Sequence, residues 1–274
     1  MRSLLLFYLR FALPGLLSMK FIEHFQLLSS SIYILLKKKI TSEELHDAST
    51  KLTKFVFDFE NLYGQSNVTM NVHLISHLPV IVENLGPLWA HSAFAFETNN
   101  GIVVKSNTCT RDILHQLAFK YTMKHSINTP ENKVENISLG NKQTIRAEQY
   151  VDTFEEAGLL ISNNVLEIYR SICIKGVKFT SLKSKVISTI DYFIQTQDGI
   201  IGAVSFYFVI DLTLYAFINT YRLISINDQF IQISKSENNE KKIIDVCDIK
   251  GKLLYLKFGP KEYVTSFPNT FEKT

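Results

Sequence analysis

The chain has 274 residues, 46% of them hydrophobic and 20% charged, which allows one large or two modest domains with substantial cores and excludes a disordered composition. A formal net charge of +3 and a pI near 8.6 permit contact with nucleic acid without arguing for it, because a compact DNA-binding domain is usually more basic and carries a patch. Three cysteines far apart in the chain, Cys109, Cys173 and Cys247, argue against a disulfide framework and for a reducing compartment, nuclear or cytoplasmic.

Taken in order, Ser3 to Leu13 and Lys20 to Leu36 follow a helical pattern, broken by Pro14-Gly15. Both segments are apolar around much of their circumference and need a partner surface. The Leu4 to Leu9 run after Arg2 has the start of a signal peptide, but Arg10 cuts it short and no clean small-x-small cleavage site follows. Thr41-Ser42-Glu43-Glu44 spells a capping box, in which the Thr41 hydroxyl takes an orphan amide and Glu44 reaches back. A helix is expected from there to Tyr63, with Leu45, Ala48, Leu52, Phe55, Phe59 and Leu62 on a three-four spacing and Gly64 as the stop.

The segment from Asn71 to Lys105 gathers the only tryptophan (Trp89), three of the seven histidines (His73, His77, His91) and an isolated carboxylate, Glu97. His73 and His77 are four apart, so a helix projects both imidazoles from one face. That suits two nitrogen ligands of a zinc ion, and it equally suits two polar residues of an amphipathic helix. Pro79 disfavours helical backbone at Leu78, so the helix is expected to bend or restart there, and Gly86-Pro87 ends the second piece. Glu97 stands in the apolar run AFAFETNNG, either as a metal ligand or acid/base group or as the solvent-facing residue of a short helix. A helix through Ile113, Leu117 and Tyr121 follows. Lys105, Arg111 and Lys120 are the candidates for contact with a phosphate backbone, with solvated surface as the alternative.

Residues 127–147 are polar, with Pro130, Gly140 and four asparagines, and read as a linker. A short helix is expected from Ala147 to Ala157. From Val165 the hydrophobic period changes to two, with turn signals at Lys175-Gly176, Asp198-Gly199, Asn227-Asp228, Asn238-Asn239 and Lys250-Gly251. Ile200 to Ile218 is long enough to span a membrane, but it carries Asp211 near its middle and β-branched and aromatic residues throughout, so two buried strands joined near Asp211 are expected instead. The tail from Pro260 to Thr274 is expected to fray. The fold class is therefore α+β: a mostly helical region over 1–126, a linker over 127–147, and a short helix with a small antiparallel barrel or sandwich over 148–274.

The order His-x3-His-Leu-Pro, then Gly86-Pro87-Leu88-Trp89-Ala90, then Phe96-Glu97-x-x-Asn100-Gly101 resembles the C-terminal part of DNA transposases of the CACTA (En/Spm) type. Tyr8 to Gly15, His24-Phe25 and Leu62-Tyr63-Gly64 continue the likeness. The resemblance implies that Glu97 corresponds to the third acid of an Asp-Asp-Glu triad, which in the complete enzyme binds Mg²⁺ with two Asp residues of an RNase H-like sheet expected before residue 1. It also implies a zinc site at His73 and His77. The family's Cys-x-x-Cys partner is absent from this chain, which leaves His91 and Cys109 as the nearest further ligands. One glutamate does not position two metal ions, so no strand cleavage is expected from this chain alone. The implied partners are DNA, full-length transposase or a second copy of the chain, and a membrane is not expected.

Overall fold

The computed structural model describes residues 3–93, 97, 100, 101, 105, 112–127, 137–159, 165–174, 176–183, 192–227, 229–235 and 240–269. The chain is α+β, with most of its helix in the N-terminal half and an antiparallel sheet in the C-terminal half. It divides into two compact units, a helical one over Leu17–Val134 and a β-rich one made of Met1–Leu16 with Glu135–Thr274.

In the helical unit, α2 (Met19–Leu35) and α3 (Ser42–Tyr63) pack along one another. The capping box starts α3: the Thr41 hydroxyl accepts from the Glu44 amide at 3.2 Å, and the Glu44 carboxylate accepts from the Thr41 amide at 3.1 Å. Gly64, at φ +89°, ends it. The chain then forms α4 (Met70–Ile75) and restarts as α5 (Leu78–Leu85) with Pro79 in its first turn, where a missing amide costs nothing. Leu35, Ala48, Leu52 and Val82 form the buried centre, with Leu28, Leu45, Ile75 and Leu78 around it. A further helix, α6, runs over Ile113–Ile127.

The β unit includes the N-terminal segment, which its helical pattern had grouped with the helical region. Its π-helical turn (Leu4–Tyr8) and α1 (Leu9–Ala12) bury Leu6 and Phe7. Phe11 lies 5.0 Å from Phe230, 4.6 Å from Phe258 and 4.5 Å from Tyr263, and the Gln229 amide donates to the Leu6 carbonyl at 2.8 Å. The apolar helix anticipated from Ser3 thus finds its partner surface on strands from the far end of the chain.

Among the described residues ten strands make one sheet: β1 (Ile137–Arg146), β2 (Val165–Ile174), β3 (Val177–Thr180), β4 (Phe193–Thr196), β5 (Ile201–Ile210), β6 (Thr213–Asn227), β7 (Phe230–Lys235), β8 (Lys241–Asp245), β9 (Ile249–Phe258) and β10 (Lys261–Ser266). Two expectations are corrected here. The second half of the supposed linker is strand β1, paired along its length with β2. The supposed frayed tail contains β10, which hydrogen-bonds β9 on one side and β7 on the other. With β10 in place the pairings return on themselves, β4–β5–β6–β7–β10–β9 and back to β4. Phe193, Ile201, Ala203, Ile233, Leu253 and Val264, from five of these six strands, form one buried cluster.

Residues 201–210 and 213–227 are the two strands of a hairpin turning at Asp211–Leu212, so the apolar run over 200–218 is sheet. No helix among the described residues is long and apolar enough to cross a membrane. The register of β5 against β6 shifts between Val204 and Phe206, a bulge at Ser205 that breaks the alternation in sequence but keeps two faces intact. Ile201 and Ala203 before the bulge belong to the circuit's cluster. Phe206 and Phe208 after it join Phe217, Leu166 and Ile168, with Phe154 of α7 (Val151–Glu156) packed on them. The opposite face carries Val204, Tyr207, Ala216 and Ile218 with Ile172, Phe179 and Val246. Gly202 lets β6 come close, since a Cβ there would stand 2.9 Å from the Ile218 Cδ1.

Candidate functional site

The break between α4 and α5 sets the histidine pair. His73 lies in the last turn of α4 and His77 is the residue on which α5 starts, and both are exposed. Their rings meet edge to face at 80°, and the two Nε2 atoms are 3.2 Å apart, so one of them carries the hydrogen and the other accepts it. Two imidazole nitrogens bound about 2.05 Å from a tetrahedral ion stand about 3.3 Å apart, so the separation of the pair is that of two zinc ligands, while its orientation is that of a hydrogen bond between the rings. It supplies half of a zinc ligand set. Among the described residues no group of three or more His, Cys, Asp or Glu side chains is placed to hold a metal. The His91 Nε2 is engaged with the Leu85 carbonyl at the end of α5, and Cys109 lies outside the described residues.

Of the other site residues read from sequence, Glu97 and Lys105 are exposed on helical backbone, and Lys120 is half-buried on α6. Arg111 lies outside the described residues. Contact is therefore established for His73 with His77.

Two further constellations come from packing. In the helical unit, His24 of α2 is 3% exposed and stacks on Phe55 of α3 at 4.3 Å. A carbonyl only accepts, so the His24 Nε2–H donates to the Phe55 carbonyl at 2.8 Å, and Nδ1 shares a hydrogen bond with the Tyr63 hydroxyl at 3.2 Å. Both ring nitrogens are spent on holding α3. Beside it, a cleft of about 300 Å³ is lined by Lys20, Glu23, Lys54, Asp58 and Asn61, charges of both signs that favour no one ligand charge.

In the β unit, Phe193 of β4 is the hub of three tyrosines. Tyr255 of β9 stacks on it at 4.6 Å and 8°, Tyr221 of β6 meets it edge-on at 5.1 Å, and Tyr192 lies 5.2 Å away. The Tyr255 hydroxyl is hydrogen-bonded to the carboxylate of Glu262 on β10, and the charge of that carboxylate is felt at Tyr221 and Tyr192. Burial, then the Glu262 charge, pushes Tyr221 up to about 12 and also raises Tyr192. Tyr255 is raised by burial first and then by donating its hydroxyl hydrogen to Glu262. All three phenols stay neutral at physiological pH, and Glu262 is the one acidic group of the cluster. Tyr207 is raised too, but for a different reason: it is buried on the other face of the sheet, with its hydroxyl 3.3 Å from the Thr180 carbonyl it donates to. The sequence does not mark the Glu262 cluster, because its members come from β6, β9, β10 and the residue just before β4, and no local spacing links them.

No family model, curated protein or solved structure matches the chain.

Proposed function

We propose that this chain is a transposon-derived protein, corresponding to the C-terminal half of a CACTA-type transposase, and that it works as a binding module without cleaving DNA by itself. The observation that carries this reading is the junction of α4 and α5. The His-x3-His-Leu-Pro string that opens the resemblance folds into two imidazoles in contact with each other at a proline restart. Glu97, exposed on helical backbone, supplies one carboxylate, whereas phosphodiester chemistry with two metal ions needs several that converge. In the complete enzyme Glu97 would share Mg²⁺ with two aspartates, and His73 and His77 would furnish two zinc ligands.

A nicking assay on supercoiled plasmid with Mg²⁺ or Mn²⁺ tests the catalytic half of the reading. No nicking is expected, and nicking that vanished in Glu97→Gln would overturn it. For the binding half, the partner is DNA or full-length transposase in the nucleus. DNA affinity is expected to fall with salt on a log-log slope of a few, about one per phosphate contact. A salt-insensitive affinity, or none, would leave the transposase as the partner to be tested by co-purification.

A further inference from the structure

We propose that the Glu262 end of the strand circuit binds an organic cation of the alkylammonium class, with the Glu262 carboxylate as counter-ion and the hydroxyls of Tyr192, Tyr221 and Tyr255 as its polar rim. The site lies on the interior face of the circuit. Glu262 pairs across the ladders with Lys257 of β9 and with Ile233 of β7, and Ile233 belongs to the buried cluster there. Tyr255 pairs with Val264 of the same cluster, and Tyr221 pairs with Ile201. Three strands and the residue that leads into β4 therefore bring one carboxylate and three phenols to a single place that is half-buried, neither sealed nor fully open.

What that place lacks is a cation within ion-pair distance of the carboxylate. Glu262 makes no ion pair among the described residues, although Lys257 stands opposite it and Lys235 opposite Tyr221. Both lysines are exposed, with their ammonium groups beyond 4 Å of the carboxylate. Partly burying a carboxylate costs free energy unless a partner offsets it, and one hydrogen bond from Tyr255 is a partial offset. A divalent metal is a poor match, since a single carboxylate among neutral phenols is too few hard anionic ligands. An ammonium group fits on three counts. It carries one charge, its N–H donors suit carboxylate and phenol oxygens, and its alkyl stem suits the half-buried rings of Tyr221 and Tyr255, which are backed by Phe193.

Isothermal titration calorimetry of the full chain at constant ionic strength tests the proposal, with n-butylammonium chloride as probe and n-butanol as the neutral control. Millimolar affinity for the cation is expected, with the alcohol at least about tenfold weaker. Glu262→Gln, which keeps the shape, is expected to lose about tenfold in affinity, Tyr255→Phe severalfold, and Lys257→Met to gain by removing a like charge. Each variant is read beside its far-UV circular dichroism and urea midpoint, so a lost fold is not mistaken for a lost site. Absent binding, equal binding of the alcohol, or undiminished affinity in folded Glu262→Gln would overturn the assignment.

Discussion

In the helical unit the residues that set each element lie within a few positions of one another, whereas in the β unit an element exists because a distant strand pairs with it. Thr41 and Glu44 start α3, Gly64 stops it, and Pro79 restarts the chain as α5. By contrast β10 is held by β7 and β9, and α1 by Phe230, Phe258 and Tyr263. Local order tolerates the loss of one signal at the cost of that signal alone. A circuit of strands does not, because removing any member exposes two edges and empties a shared core. The largest predicted effect follows. A chain ending at Gly259 loses β10, and with it Val264, which is wholly buried in the circuit's cluster. It is expected to lose the cooperative β transition by far-UV circular dichroism and to aggregate through its open edges. An unchanged urea midpoint would mean that the circuit is not what holds the β unit together.

The same contrast decides what the sequence made legible. The capping box, the helix stops, the restart at Pro79 and the turns at Gly176 and Gly199 were readable because each is a local steric or hydrogen-bonding rule. Strand β1, with the sequence ISLGNKQTIR, was not, since it is mostly exposed on both faces and only its pairing with β2 makes it a strand. Strand β10 opens on the short, charged pair Lys261-Glu262, which reads as a tail, whereas β5 is legible as an apolar run despite the bulge at Ser205. The site divides in the same way. The contact of His73 with His77 follows from a spacing of four, while the meeting of Tyr192, Tyr221, Tyr255 and Glu262 follows from register alone.

A middle-sized effect is expected at the β5–β6 turn, where local backbone chemistry opposes the fold of the β unit. Asp211 at φ 48° and Leu212 at φ 65° occupy the left-handed region that a two-residue hairpin requires, and Leu212 is fully exposed. Left-handed backbone costs a residue with a Cβ roughly 1–2 kcal/mol, and glycine's extra chain entropy returns about 0.5–1 kcal/mol of that difference. The solvent-exposed Leu212 side chain buries no surface that glycine would forfeit. Leu212→Gly should therefore raise stability by about 0.5–1 kcal/mol in urea unfolding. A lower midpoint would show that non-local pairing had already absorbed the strain.

The smallest expected effect belongs to the helical unit and is a pH dependence. The Lys37 ammonium, 2.6 Å from the Glu44 carboxylate, lowers the Glu44 pKa, and the Thr41 amide adds to this against the opposing effect of partial burial. A carboxyl group whose pKa is lower in the folded state binds its proton more readily in the unfolded chain. The stabilisation is therefore complete above the ordinary glutamate value of about 4.3 and is lost as pH falls through the depressed one. With about a third of both side chains exposed, solvent screening holds the contribution to about 0.5 kcal/mol. Lys37→Met should flatten the fall in stability below the ordinary value by that amount and leave the capping hydrogen bonds in place. Thr41→Ala should instead lower stability by about 1 kcal/mol, above and below that value alike. If the two substitutions gave the same pH profile, the cap and the ion pair would be one interaction, and the order of the helical unit would be less separable into local signals than its geometry indicates.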